Sequence, residues 1–300
     1  MSRTDLHTEQ QNQASAALDT MSSLDLVKLM NQQDASVIGV IREVLPAVAR
    51  AVDIIAERMS SGGRLIYVGS GTSGRIGALD ASECPPTFGT DPSKVQYIIA
   101  GGDHALAHAS EASEDSAELG WKDMAVKVPG ANDVVVGIAA SGRTPYTLAA
   151  LEYARRQGSA TIALACNRGS ALAAAAHIAI EMEVGPEVLT GSTRLKAGTA
   201  QKLICNMLTT GAMTRIGYVY GNLMVNLQLK NEKLVERGIS IVQSIAGVSR
   251  ELALETLKAA EMRVPVAIVM LRAGTTRAGA LRQLQAVNGN LRRALESRQK

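Results

Sequence analysis

The 300-residue chain reads as an α/β protein with a doubly wound, parallel, five-stranded sheet flanked by helices, followed by a small all-helical C-terminal domain. Three observations carry this expectation. Short runs of Val, Ile, Leu and Ala recur along the first two thirds of the sequence. Helical segments lie between them, the alternation expected when every strand is buried on both faces. Each strand ends in a Gly/Ser/Thr-rich loop, which gathers those loops at one sheet edge, where such folds bind ligands.

The elements follow in order. Met1–Asp19 is polar, lacks the apolar core of a leader peptide, and is expected to extend over a neighbouring surface. Ser22 or Ser23 can cap a helix over Leu24–Asn31. Ala35–Met59 carries apolar residues at helical spacing, and Pro46 inside it predicts a kink or a fresh helix start. Ser61–Gly63 stops that helix. Strands are predicted over Arg64–Val68, Val95–Ala100, Asp133–Ala139 and Ala160–Cys166, with a weaker fifth at His177–Ile180. Helices are predicted over Asp103–Met124, Thr144–Arg156 and Leu172–Ala176. Lys196–Gly217 is a long helix rich in small residues. From Gly238 onward no strand and Gly-loop unit recurs. Val264–Leu271 fits strand or buried helix by pattern and is read as helix. The chain is therefore divided into 1–237, a ligand-binding and catalytic domain with an N-terminal helical extension, and 238–300, a helical domain.

Composition narrows the function. Hydrophobic residues make up 46% and charged residues 20%, with mean hydropathy +0.07, which suits a large core and excludes a disordered chain. Aromatics are only 3%, which argues against stacking of bases. Net charge is +3, spread along the chain without a basic run, so nucleic acid is not an expected partner. Cys84, Cys166 and Cys205 are odd in number and far apart, giving neither a disulfide framework nor a zinc site. The longest apolar runs, such as Val134–Ala140, are too short for a membrane span. A reducing cytoplasm is the natural compartment, and no membrane partner is expected.

Two loops carry the strongest chemical signal. Gly69–Arg75 (GSGTSGR) offers Ser70, Thr72 and Ser73 among glycines that permit close backbone approach. Ala140–Pro145 (ASGRTP) offers Ser141 and Thr144, with Pro145 suited to a first helical turn. Hydroxyls beside free N–H groups at a helix N-terminus make an anion site without lysine. One such loop is explained by ordinary turn chemistry, but two at matching strand ends favour a phosphate on a small metabolite. GSGTSG fits GxGxxG superficially, yet no acidic residue closes the next strand as a dinucleotide site requires.

Other candidates are weaker. Glu83, in LDASECPPTFG, is expected in an irregular loop enforced by Pro85 and Pro86, where partial desolvation would raise its pKa and suit acid/base work. Glu111, Glu114 and Glu118 are spaced to share a helix face, and spacing does not choose among them. His104 and His108, four apart, lack a third ligand, so no metal is expected. Thr190–Lys202 places Ser192, Thr193, Arg194 and Lys196 at a helix start, either closing over a sugar phosphate or simply capping the helix.

GSGTSGR, AASGRT and GSTRLKAGTAQK together resemble the sugar isomerase (SIS) domain of phosphosugar-binding proteins. More closely, LIYVGSGTSGRIGALDASECPPTFG, IIAGGDHAL, SEDS, VVVGIAASGRTPY, NLMVN and NEKL resemble the N-acetylmuramic acid 6-phosphate etherases, as does TEQQN at Thr8–Asn12. The resemblance implies a lyase that cleaves a lactyl ether with no metal or organic cofactor. It implies Glu83 and Glu114 as the catalytic carboxylates, and substrate contacts at Ser70, Gly71, Thr72, Ser73, Ser141, Gly142, Thr144 and Ser192. It also implies a homodimer. The same fold serves a non-catalytic sugar-phosphate-binding regulator and aldose–ketose isomerases, which remain as alternatives.

Overall fold

The structure, a computed structural model, describes residues 6–108 and 110–296. By packing, the chain forms two compact units. The first comprises Met1–Ser82 with Ser93–Thr209, and the second Glu83–Pro92 with Thr210–Lys300.

The first unit holds a five-stranded, wholly parallel sheet. Its strands are β1 (Leu65–Gly69), β2 (Val95–Ile99), β3 (Val134–Ala139), β4 (Ala160–Ala165) and β5 (Ile178–Glu181), in the order β2-β1-β3-β4-β5. The expected strands are all present, each within a residue or two of the predicted ends. Every residue of β1, β3 and β4 is buried, as continuous apolar runs require of strands covered on both faces. On one face Ile66, Val68, Val135 and Ala163 pack with Met124, Tyr146 and Leu151. Full burial of each such aliphatic side chain contributes about 1.5–3 kcal/mol. At the N-terminal edge Asp133 accepts from the Arg64 N–H, Nε and Nη2 and from the Gly130 N–H, tying β1 to β3. Burial pushes Asp133 up, but the Arg64 hydrogen bonds, the Gly130 N–H and the Arg64 charge outweigh it and hold its carboxyl below the usual range.

Three helical expectations need correction. First, α1 (Ser23–Ser60) is one helix of 38 residues, capped by Ser22, whose side chain accepts the Asp25 N–H. Pro46 does not divide it. Pro46 and Arg42 are both exposed, so the Arg42 carbonyl that proline leaves without a donor can meet water. Second, the predicted helix over Asp103–Met124 is broken into a 3-10 turn (Asp103–Leu106), α3 (Glu111–Glu114) and α4 (Ala117–Val126). Ser116 starts α4 by accepting the Leu119 N–H, and a competing cap of this kind interrupts a helix. Third, Pro85 and Pro86 lie inside α2 (Gly71–Phe88), not in an irregular loop. They fall in its last turns, where few backbone bonds remain to lose. The helix closes at Gly89, φ 65°, whose N–H donates to the Pro85 carbonyl. A Cβ there would meet the Asn226 carbonyl oxygen.

The remaining helices of the sheet unit are α5 (Pro145–Arg156) and α6 (Ala171–Ala175), and α7 (Lys196–Ile216) starts within it. The second unit contains α8 (Glu232–Ala246), α9 (Arg250–Ala259), α10 (Val264–Ala273), α11 (Arg277–Ala286) and α12 (Leu291–Glu296). The ambiguous VPVAIVML segment is helical, with Val264, Val266, Ala267, Ile268 and Val269 all buried. Val225 and Leu227 join this core although they precede Gly238. No helix among the described residues is long and apolar enough to cross a membrane.

Candidate functional site

The sheet order makes β1 and β3 neighbours, and their loops run to helices that leave in different directions along the sheet: β1 connects to β2 on one side, and β3 to β4 on the other. That is the switch point at which doubly wound sheets open a crevice. Gly69 pairs with Ile138 across β1 and β3, so the two loops start about 5 Å apart, the spacing of adjacent strands.

After β1 the chain passes through Ser70 directly into α2. Gly69 is required because a Cβ would lie 2.8 Å from the Gly74 nitrogen and 3.0 Å from the Ile138 oxygen. Gly74 donates to the Ser70 carbonyl, leaving the N–H groups of Gly71, Thr72 and Ser73 without acceptors in the helix. Ser70 and Thr72 are half-buried and Gly71 is exposed. Ser73 is buried, and its hydroxyl donates to Gln201 Oε1 at 3.0 Å.

After β3 the same pattern recurs. Gly142 has φ 67° and packs so closely on Ser170 that a Cβ would meet its side chain at 2.3 Å. Ser141 Oγ accepts the Arg143 N–H at 3.2 Å. Thr144 is the cap residue of α5, yet its side chain makes no capping bond, and Pro145 opens the helix. Ser141 and Thr144 are half-buried. Two helix N-termini with hydroxyls and uncommitted donors thus stand side by side, each able to bind an anion through its N–H groups and dipole.

The third loop is built differently. Glu187, fully buried, accepts the N–H groups of Lys196 and Ala197 at 3.0 Å each and so caps α7 from within. Burial pushes its carboxyl up, against these two donors and the Lys196 charge. Lys196 is buried too, its Nζ donates to Gln33 Oε1, and burial pushes its ammonium down, against the charges of Glu187 and Asp34. Asn12 donates to that same Gln33 oxygen and to the Pro186 carbonyl. Thr8 accepts from Asn167 at the end of β4. The TEQQN segment is therefore anchored into this unit; residues 1–5 lie outside the described residues. Ser192 is half-buried on the loop before α7.

The carboxylates stand apart in character. Glu83 projects from α2 and is exposed, not held in the rigid loop that was expected. Its segment, Glu83–Pro92, packs with the second unit. Glu114 ends α3 and is half-buried, Glu118 lies exposed on the next helix, and the side chain of Glu111 lies outside the described residues. The three do not share one helix face, because Ser116 starts a new helix between them. Arg75 of α2 donates to the carbonyls of Ala105, Leu106 and His108, pinning the segment that leads to α3. His104 and His108 stack with ring centroids 4.3 Å apart, and no group of three metal-ligating side chains occurs among the described residues.

Among the buried polar residues that sequence reasoning missed are Asp80, Asn167, Glu187 and Gln201. Asp80 accepts from Tyr67, Asn206 and Thr209, and burial raises its pKa against those bonds. Asp80 and Glu187 sit between apolar neighbours in sequence, a detectable but unspecific signal; Asn167 and Gln201 are each followed by a basic residue and carry no such signal.

Comparison with known proteins agrees with this geometry. The family model of the glucokinase regulatory protein N-terminal SIS domain matches residues 47–155, and that of the SIS domain matches residues 112–211. The chain is 48% identical to N-acetylmuramic acid 6-phosphate etherase of Clostridium beijerinckii, covering 97% of this chain and 96% of the relative. It is 53% identical to the Burkholderia lata protein of the same name, covering 97% and 95%. Against that of Symbiobacterium thermophilum identity is 56%, covering 90% and 89%. A solved structure from Listeria monocytogenes, provisionally assigned as a sugar-phosphate isomerase, shares the fold with TM-score 0.50 and 20% identity, covering 66% of this chain and 94% of that one.

Proposed function

The chain belongs to the N-acetylmuramic acid 6-phosphate etherase family, and from that premise we propose that it cleaves the D-lactyl ether of N-acetylmuramic acid 6-phosphate. The observation that carries this reading is the likeness over nearly the whole chain, 97% of it at 53% identity. The paired helix N-termini supply a physical reason: they suit a phosphate dianion. We assign its contacts to the hydroxyls of Ser70, Thr72, Ser141 and Thr144, to the backbone of Gly71 and Ser73, and to Ser192 from the loop before α7; Gly142, expected as a backbone donor, already gives its N–H to the Ala139 carbonyl and accepts the Leu172 N–H, so it shapes the loop instead. All site residues lie within 1–237, the span we assign to binding and catalysis; 238–300 is its helical companion.

The chemistry follows from the substrate. An ether at C3 is a poor leaving group for direct displacement. Opening the sugar ring exposes an aldehyde at C1, which acidifies the C2 proton. A carboxylate removes that proton, the C3–O bond breaks, and an acid protonates the departing lactate oxygen. Water then adds at C3 of the unsaturated aldehyde and C2 regains a proton, giving N-acetylglucosamine 6-phosphate and D-lactate. Two carboxylates suffice for these transfers. We assign Glu83 to protonate lactate and activate water, and Glu114 to work at C2.

The reading places the protein in amino-sugar recycling in the cytoplasm, as a homodimer. Leu24, Ile38 and Leu45, exposed on α1, supply apolar surface for a second copy. The deciding assay mixes protein with N-acetylmuramic acid 6-phosphate and measures D-lactate. Release supports the etherase. Binding without turnover identifies a regulator, the reading favoured by the match of residues 47–155. C2 proton exchange without lactate identifies an isomerase.

A further inference from the structure

Ser73 lies in the loop assigned to phosphate, but its hydroxyl proton is already committed. It donates to Gln201 Oε1 at 3.0 Å, with Ser73 and Gln201 both buried. Neutral hydroxyls carry a single proton, so in this arrangement Ser73 has none to offer a phosphate oxygen. Its backbone N–H, in the first turn of α2, remains suited to that task.

Gln201 belongs to the second turn of α7, three residues after Gly198, so the two share a face. At Gly198 α7 comes within van der Waals reach of the same loop: the Cβ position there lies 3.5 Å from Thr72 Cγ2. One face of α7 therefore touches Thr72 and Ser73, while the start of α7 is fixed by Glu187. The other end of the Gln201 amide, Nε2, is buried and faces Cys166, a weak acceptor. A buried amide whose donor end meets only a thiol is weakly satisfied, and its place behind a ligand loop gives that cost a use.

We infer that Gln201 is a positioning residue of the phosphate site, acting through Ser73: it draws the Ser73 hydroxyl away from the ligand and holds the first turn of α2 so that its N–H groups face the anion. The inference rests on the phosphate site of the proposed function but not on the reaction, and its test reads binding alone. N-acetylglucosamine 6-phosphate and inorganic phosphate are titrated calorimetrically into the wild-type chain, Ser73→Ala, Gln201→Met, the double variant and Ser73→Thr. Methionine keeps the length and helix preference of glutamine without its acceptor.

Ser73→Ala and Gln201→Met should each weaken both ligands about tenfold, and the double variant should lose no more than either alone. Ser73→Thr, which keeps the donor, should bind within about twofold of wild type. Independent losses that multiply in the double variant, or a loss in Ser73→Ala alone, would make Ser73 a direct phosphate donor and overturn the inference. Unchanged affinity with lowered melting temperature would reduce the pair to a packing contact, which also overturns it. If Gln201→Met does not fold, Gln201→Asn, whose acceptor is withdrawn by one methylene, serves in its place. A wild-type chain that binds these anions yet releases no lactate defeats the proposed reaction and leaves the coupling result intact; one that binds neither anion overturns both.

Discussion

The N-termini of α2 and α5 contrast with that of α7. All three begin in Gly/Ser/Thr sequence, GSGTSG, ASGRTP and GSTRLKAGT, and all three present the unmatched N–H groups of a first helical turn. At α7 the protein supplies its own anion: the Glu187 carboxylate takes the N–H groups of Lys196 and Ala197. At α5 the cap residue Thr144 makes no side-chain bond, and at α2 the Ser73 hydroxyl turns to Gln201. Equivalent local sequence thus yields one helix end closed by a carboxylate of the chain and two whose first-turn N–H groups no carboxylate takes among the described residues. The difference lies in whether a carboxylate from elsewhere in the chain reaches the donors.

If the open ends bind and the carboxylates react, the two tasks should separate on mutation. Glu83→Gln should lower kcat by about 10²–10⁴-fold, the range for a general acid or base, while the calorimetric affinity for N-acetylglucosamine 6-phosphate holds. Near-normal lactate release would remove Glu83 from the chemistry. Glu114→Ala should slow incorporation of solvent deuterium at C2 to a similar degree, because no enolate forms without proton removal. The closed end is tested by Glu187→Ala, which uncaps α7 and removes one of the two acidic charges, Glu187 and Asp34, that act on buried Lys196. It should cost about 2–4 kcal/mol in urea unfolding. A variant as stable as wild type would break the contrast between the helix ends.

Smaller effects sharpen it. Ser141→Ala or Thr72→Ala should weaken sugar-phosphate binding by about 1–2 kcal/mol with little change in unfolding, the reverse of the Glu187 pattern. Smallest is the pH effect at the opposite sheet edge. Hydrogen bonds and charge hold Asp133 below the usual carboxylate range in the folded chain. Its contribution is therefore full above the unfolded value and lost as pH falls through the folded one. Wild type should lose up to about 1 kcal/mol more than Asp133→Asn across that acidic window; identical acid sensitivity would count against the Arg64–Asp133 link.

Much of this was legible in the residues. The strands announce themselves because full burial demands unbroken apolar runs, and the Gly69 and Gly142 loops because only glycine tolerates the contacts found there. Ser22 was readable as a cap because capping is local. The carboxylates were harder. Glu83 was expected in a loop because consecutive prolines oppose helix, yet they fall where α2 is ending. Helical spacing grouped Glu111, Glu114 and Glu118, whereas Ser116 diverts the backbone between them.

Sequence alone determined the parallel sheet, the edge at which the Gly/Ser/Thr loops gather and the kinship that names the chemistry, because burial patterns, turn residues and long motifs are written in consecutive positions. Tertiary structure alone decided which helix ends stay open and where the polar interior lies. Glu187 reaches α7 across nine residues, Ser73 meets Gln201 across 128, and Thr8 meets Asn167 across 159. Such bonds depend on where the folded backbone brings separated groups together, and no local spacing encodes that meeting.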